Sequence, residues 1–162
     1  MRKMAIVPLL LMAACTKTLN VDSVKTAISA GLNEKLGVTI SSLTCPESRE
    51  AKAGDSFECT AAVQSGGTLT VTVTQTDANA HIDWKVKNTE NLMDLLALET
   101  QIVTGLKQQA SVDATVSCGG KYRVSITGKT FECTAKTADG KTAPVIITMT
   151  DDKGNVNWKV GP

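Results

Sequence analysis

Two segments of this chain repeat at a constant spacing of 74 positions. The matching segments are SFECTA at 56–61 with TFECTA at 130–135, and DWKV at 83–86 with NWKV at 157–160. Cys45 and Cys118 match at a spacing of 73, which implies a one-residue deletion upstream of Cys118 in the second copy. Because the agreement runs through nearly the whole chain, the sequence predicts two α+β repeats, at 20–87 and 88–162.

The first copy begins with a helical pattern. Its apolar residues fall on one face of a helix at Val24, Ala27, Ile28, Leu32 and Leu36. Asp22 precedes the pattern as a candidate N-terminal cap, and Gly37 follows it as a stop signal. The pattern predicts an amphipathic helix of about four turns.

The second copy has a matching helix with a wider apolar surface. Its stripe is Leu95, Leu98, Ile102 and Leu106, and it continues to about Ala110, with Asn88 or Thr89 as the candidate cap. The residues that widen the surface are Leu92, Met93, Leu96 and Val103. Packing on one sheet needs only part of a helix surface, so we interpret the excess as contact with the first copy. A partner-binding face is the alternative.

After each helix the sequence changes to a period of two. TLTVTVT at 68–74 alternates strictly, as a strand with one buried face does, and VIITM at 145–149 is its counterpart. Short turns rich in Gly, Asp and Asn separate four strand candidates in each copy. The predicted fold class is therefore α+β, a tandem repeat of one helix packed on a four-stranded antiparallel meander. Trp84 and Trp158 are predicted to lie in the two cores.

Four of the five cysteines lie at corresponding positions in the two copies. Only the pairing Cys45–Cys59 with Cys118–Cys133 lets both copies fold alike, so we predict one disulfide in each repeat. The alternative, a four-cysteine zinc site, lacks the Cys-x2-Cys spacing of such sites. We predict no metal site and no cofactor.

The fifth cysteine follows a segment with the layout of a signal peptide, predicted at 1–14. Its apolar run would span only about 16 Å as a helix, which is too short to cross a membrane. The segment LMAAC, ending at Cys15, resembles the lipobox of bacterial lipoproteins, which implies that Cys15 is lipidated and that 15–19 is a tether. The alternative is ordinary cleavage after Ala14, which leaves a free thiol.

A second resemblance extends over both copies. The residues that carry it are Thr44-Cys45-Pro46, Gly54, Phe57, Cys59-Thr60, VTVT at 71–74 and Trp84-Lys85-Val86. They resemble the exported domain of unknown function 4333, which is common in bacterial lipoproteins and brings no established activity. At the level of architecture alone, the tandem also resembles the β-lactamase inhibitory proteins. The second copy has Gly119 where the first has Pro46.

Residues suited to catalysis do not form a recognisable motif. His81 is the single histidine, at the junction of a turn and a strand, and its counterpart is Asn155. The segments GKT at 128–130 and 140–142 lack the upstream glycine of a phosphate-binding loop. A formal charge of +1 and 3% aromatic residues argue against binding to nucleic acid. We therefore predict that the protein is not an enzyme and has no catalytic residues.

These features lead to one functional hypothesis and two alternatives. The hypothesis is a non-catalytic, exported lipoprotein, anchored through Cys15 to the bacterial cell envelope on its periplasmic or extracytoplasmic side. Its expected partners are the membrane and an envelope protein. The first alternative is an inhibitor of an exported hydrolase, such as a β-lactamase or a cell-wall enzyme. The second is an enzyme with a site between the two domains.

Overall fold

The computed structural model describes residues 17–162, so the predicted signal peptide at 1–14 and the predicted lipidation site Cys15 lie outside the described residues. The elements of the first copy are α1 (Val21–Leu36), β1 (Ile40–Thr44), β2 (Ser56–Val63), β3 (Thr68–Gln75) and β4 (Ile82–Val86). The second copy begins with a 3-10 turn at Thr89–Asn91. Its further elements are β5 (Leu92–Asp94), α2 (Leu95–Ala110), β6 (Ala114–Ser117), β7 (Tyr122–Val124), β8 (Thr130–Thr137), β9 (Thr142–Met149) and β10 (Val156–Val160).

Each copy contains a four-stranded antiparallel sheet. The strand order is β1-β2-β3-β4 in the first sheet and β10-β9-β8-β6 in the second, and β5 pairs with β7 in a separate ribbon. The predicted α+β fold with one helix per repeat is confirmed. Among residues 17–162, no helix is long and apolar enough to span a membrane.

The alternating strands bury one sheet face under each helix. In β3, Leu69, Val71 and Val73 are fully buried, whereas the threonines between them are partly exposed. These valines form one core with Ile28 and Leu32 of α1. The second core is built in the same way around Ile102 of α2 and the buried residues of β9. Period-two strands under period-3.6 helices therefore give two separate cores.

Both helices begin at residues other than those predicted. Asn20 caps α1, because its side chain accepts a hydrogen bond from the Ser23 N–H (3.1 Å), while Asp22 lies in the first turn. Asp94 caps α2, accepting from the N–H groups of Leu96 and Ala97. The predicted caps Asn88 and Thr89 instead adjoin the 3-10 turn, because Leu92–Asp94 pair as a strand. The predicted end of α1 is correct, since Gly37 closes it at φ +65°.

The first copy also starts earlier than predicted. Leu19 is buried in the first core and Thr18 forms a β-bridge with Glu50, although both fall within the predicted tether at 15–19. Leu19 also donates its N–H to the Arg49 carbonyl (2.8 Å). The folded unit therefore includes Thr18, and its link to Cys15 is correspondingly shorter.

Each tryptophan packs against a glycine of the helix above it. A Cβ atom on Gly31 would lie 2.3 Å from Cζ2 of Trp84, and one on Gly105 would lie 2.5 Å from Cζ2 of Trp158. Both rings are half-buried and pack against the buried residues of their core, so they border the cores in which they are predicted to lie. The close approach of helix and sheet therefore depends on these two glycines.

The one-residue difference between the copies lies in the first strand. The register of β1 shifts between Ile40 and Ser42, whereas β6 pairs regularly with β8. Ser41 is therefore the residue that the second copy lacks. The first copy accommodates it as a β-bulge, in which the Ser41 hydroxyl donates to the Ala62 carbonyl (3.0 Å).

Candidate functional site

The four paired cysteines form the two predicted disulfides. Cys45–Cys59 and Cys118–Cys133 each join the end of the first strand of a sheet to the second strand. All four residues are buried. The two disulfides cross-link the core of each copy, and the four cysteines have no free thiol group.

His81 has a local structural role in the turn between β3 and β4. Its Nδ1 lies 2.6 Å from Oδ2 of Asp77, and the hydrogen bond from His81 is the main cause of the lowered pKa of the Asp77 carboxyl. In the second copy Asn155 donates from its side chain to Asp151 and lowers the pKa of that carboxyl in the same manner. The Asn155 amide and the His81 imidazole therefore make equivalent hydrogen bonds to an aspartate of the turn. This equivalence is consistent with turn formation rather than proton transfer.

The other candidate groups are not brought together. Glu58 pairs with Lys87 (2.7 Å) on the outer face of the first sheet, while Glu132 lies on the second sheet. Each GKT segment leads into a strand, since Thr130 is the first residue of β8 and Thr142 is the first residue of β9. Within residues 17–162, no cluster of three or more His, Cys, Asp or Glu residues is arranged to hold a metal ion.

The β5–β7 ribbon lies between the two copies. Leu92 pairs with Val124, and both contact the first core, while the neighbouring Met93 belongs to the second core. Because side chains alternate between the two faces of a strand, one face of the ribbon contacts the first copy and the other face contacts the second copy. The predicted contact with the first copy is therefore correct for Leu92. It is wrong for Met93, which packs in its own copy, and for Leu96, which is 69% exposed.

The first copy has a polar version of this ribbon. Thr18 and Glu50 form the bridge that corresponds to Leu92 and Val124, and both are exposed. In the second copy this face of the ribbon contacts the first copy, and the two residues are apolar. In the first copy the same face contacts water, and the two residues are polar. The sequence signal for this interface is the exchange of Thr18 and Glu50 for Leu92 and Val124 at a spacing of 74, which the periodicity of one copy alone does not reveal.

A cavity of about 310 Å³ lies where the copies meet. The first copy lines it with Gly37, Val38, Thr39, Gln64 and Ser65, and the second with Leu95, Gly119, Tyr122 and Arg123. Beside it, the Lys121 Nζ donates to the Glu34 carbonyl near the end of α1 (3.4 Å). The lining offers hydroxyl, amide and guanidinium groups without a carboxylate or an imidazole. Such a lining is suited to binding polar groups, and it contains no pair for acid–base catalysis.

We predict that the β5–β7 ribbon couples the unfolding of the two copies. The double variant Leu92→Thr with Val124→Glu installs the residues of the first copy and removes the apolar contact across the interface. We expect a loss of at least 2 kcal/mol in the free energy of unfolding, because a buried carboxylate is left without a partner. We also expect urea unfolding, followed by tryptophan fluorescence and circular dichroism, to separate into two transitions.

The matched control is Thr18→Leu with Glu50→Val, which makes the reverse exchange on the exposed ribbon. It should change the free energy of unfolding by no more than about 0.5 kcal/mol. Equal effects of the two double variants would show that the ribbon does not couple the copies.

A protein-family model described as "Domain of unknown function (DUF4333)" matches the chain twice, at residues 5–79 and 86–154. The two matches correspond to the two copies recognised in the sequence. No curated protein and no solved structure matches the chain, so the likeness to the β-lactamase inhibitory proteins gains no support.

Proposed function

We propose that this chain, which belongs to the DUF4333 family, is a non-catalytic lipoprotein of the bacterial cell envelope that binds a partner protein close to the membrane. The observation that carries the proposal is the distribution of the five cysteines. Four form one disulfide within each copy, which is typical of an oxidising compartment. Cys15 remains for lipid attachment, at the end of an apolar segment that resembles a lipobox.

The short link between Cys15 and the fold supports a site of action near the membrane. Thr18 already pairs with Glu50, so only two residues separate the proposed lipid from the folded unit. Three Cα–Cα steps span at most about 11 Å. The first copy would therefore lie against the lipid headgroups and would bind its partner there.

The outer faces of the two sheets support a binding function. In each sheet the helix covers one face and leaves the other to solvent, where side chains such as Thr60, Thr70 and Thr72 present hydroxyl groups. The equivalent face of the second sheet presents Thr134 and Thr148. Each solvent-facing sheet surface is therefore available for contact with a partner protein.

Detergent partition tests the lipid anchor. The full chain, expressed in a bacterial host that processes lipoproteins, should enter the detergent phase and incorporate an alkyne-labelled fatty acid. Cys15→Ala should enter the aqueous phase without label, because several acyl chains supply the membrane affinity. Thr16→Ala is the matched control and should behave like the wild type. Partition of the wild type into the aqueous phase would overturn the anchor.

The same strains test the partner. Crosslinking in intact cells, followed by mass spectrometry, should yield one envelope protein with the wild type and much less of it with Cys15→Ala. A tight equimolar complex with a secreted hydrolase would favour the inhibitor alternative. Recovery of the wild type without any crosslinked protein would contradict the proposed binding function.

A further inference from the structure

An arginine lies over a phenylalanine ring at the same position in both copies. The Arg49 Cζ is 5.3 Å from the centroid of the Phe57 ring, and the Arg123 Cζ is 4.4 Å from that of Phe131. Stacking of this kind holds a guanidinium group in a fixed orientation and removes part of its hydration. The two copies therefore present a cation on equivalent aromatic supports.

In the first copy an internal carboxylate neutralises this cation. The Arg49 Nη2 donates to Oδ2 of Asp55 (2.7 Å) and to the Ser56 carbonyl (3.2 Å). Gln75, which is fully buried, donates its Nε2 to the same Asp55 oxygen (3.2 Å). The guanidinium and the carboxylate thus form an ion pair within the first copy, although the Arg49 Nε has no hydrogen-bond partner.

In the second copy Lys129 replaces Asp55 on the same backbone. The Gly54 N–H donates to the Gln75 carbonyl (2.8 Å), and the Gly128 N–H donates to the Met149 carbonyl (2.8 Å). The backbone bond from residue 75 to Asp55 (2.8 Å) likewise recurs from Met149 to Lys129 (2.9 Å). The turn is therefore the same, and a second cation stands where the first copy has its carboxylate.

No carboxylate within residues 17–162 forms an ion pair with Arg123. Arg123 takes part in none of the salt bridges of this part of the chain, which distinguishes it from Arg49, and its Nε, like the Nε of Arg49, is buried without a hydrogen-bond partner. Burial lowers the pKa of its guanidinium, and no carboxylate opposes that effect. An uncompensated, partly dehydrated cation is costly to a fold, and an anionic ligand removes the cost.

We propose that Arg123 and Lys129 form a binding site for an oxyanion, a carboxylate or a phosphate group, that occupies the place of the Asp55 carboxylate. A guanidinium held over the Phe131 ring can donate two parallel hydrogen bonds to such a group, and Lys129 adds a point charge. The site depends only on these side chains and is independent of the proposed membrane attachment.

The experiment follows the arginine Nε–H signals of the full chain by ¹H–¹⁵N NMR during titration with sodium acetate and, separately, with inorganic phosphate at constant ionic strength. The Arg123 signal should shift and saturate with a midpoint in the roughly millimolar range for at least one probe. The Arg49 signal should stay in place. The probe with the lower midpoint identifies the anion that the site prefers.

Exchange variants supply the controls. Lys129→Asp installs the internal carboxylate of the first copy and should weaken anion binding at least tenfold, while the protein keeps its circular dichroism spectrum. Asp55→Lys should create a saturable response at Arg49. A response of Arg123 that is linear, or that is unchanged in Lys129→Asp, would overturn the site.

Discussion

Removal of the first disulfide by the double variant Cys45→Ala with Cys59→Ala is expected to lower the free energy of unfolding by roughly 3 kcal/mol. The bridge closes a loop with a sequence separation of 14 residues, and a loop of about that length gives this value in the chain-entropy model. Copies of about seventy residues have little stability to spare. Urea unfolding of the oxidised proteins measures the difference.

Reduction of the wild type is the independent control for this loss. Dithiothreitol should lower its stability at least as far as the double variant, because it opens both bridges. Cys118→Ala with Cys133→Ala should produce a loss of similar size, since that loop is only one residue longer. A loss below about 1 kcal/mol in either double variant would show that the cores alone hold the copies together.

Gly31→Val is expected to cost about 3 kcal/mol of stability through its contact with Trp84. The first added carbon already lies 2.3 Å from Cζ2 of the ring, and the branched side chain adds two more. Overpacking of a well-filled core costs about 1–3 kcal/mol, whereas valine has a slightly better helix propensity than glycine. The clash with Trp84 therefore outweighs the gain in helix propensity, and the net change in the free energy of unfolding is a loss. Thermal or urea unfolding measures this loss.

Ala30→Val is the matched control in the same helix. Ala30 is exposed, so the change alters helix propensity alone and should cost about 0.5 kcal/mol. Gly105→Val should repeat the large effect in the second copy, where Trp158 occupies the equivalent place. Similar losses for Gly31→Val and Ala30→Val would rule out a role for the tryptophan contact.

The features that were predictable from the sequence are those that duplication or local periodicity determines. Strict alternation at 68–74 specifies which face of β3 is buried, and the equivalence of the two copies leaves a single disulfide pairing. The glycine stop at Gly37 is a local property of the backbone. Each of these inferences needs only neighbours in sequence or the matching residue in the other copy.

The start of α2 was not predictable because a segment as short as Leu92–Asp94 cannot distinguish the 3.6-residue period of a helix from the two-residue period of a strand. Leu92 and Met93 extend an apolar helical surface as well as they fill the two faces of a short strand. Pairing with β7, about thirty residues downstream, decides between these states. Such a non-local contact overrides the local pattern.

The oxyanion site was missed for a related reason. Composition gives a nearly neutral chain, and that balance conceals a local excess of positive charge at Arg123 and Lys129. The signal lies in the comparison of the copies, because the arginine is kept at both positions while Asp55 becomes Lys129. A charge reversal beside a retained arginine is visible at the spacing of 74, but its meaning depends on the Arg49–Asp55 contact.

The contact between the copies is head-to-tail, with the ribbon of the second copy seated on the β2–β3 turn of the first, where Val124 meets Gly67. Heterologous contacts of this type propagate into filaments unless the free ends are blocked. Thr18 and Glu50 block one end with polar groups, and at the other end Lys141 replaces Gly67 and pairs with Asp139 (2.9 Å). Neither free end therefore repeats the Val124–Gly67 contact that joins the two copies.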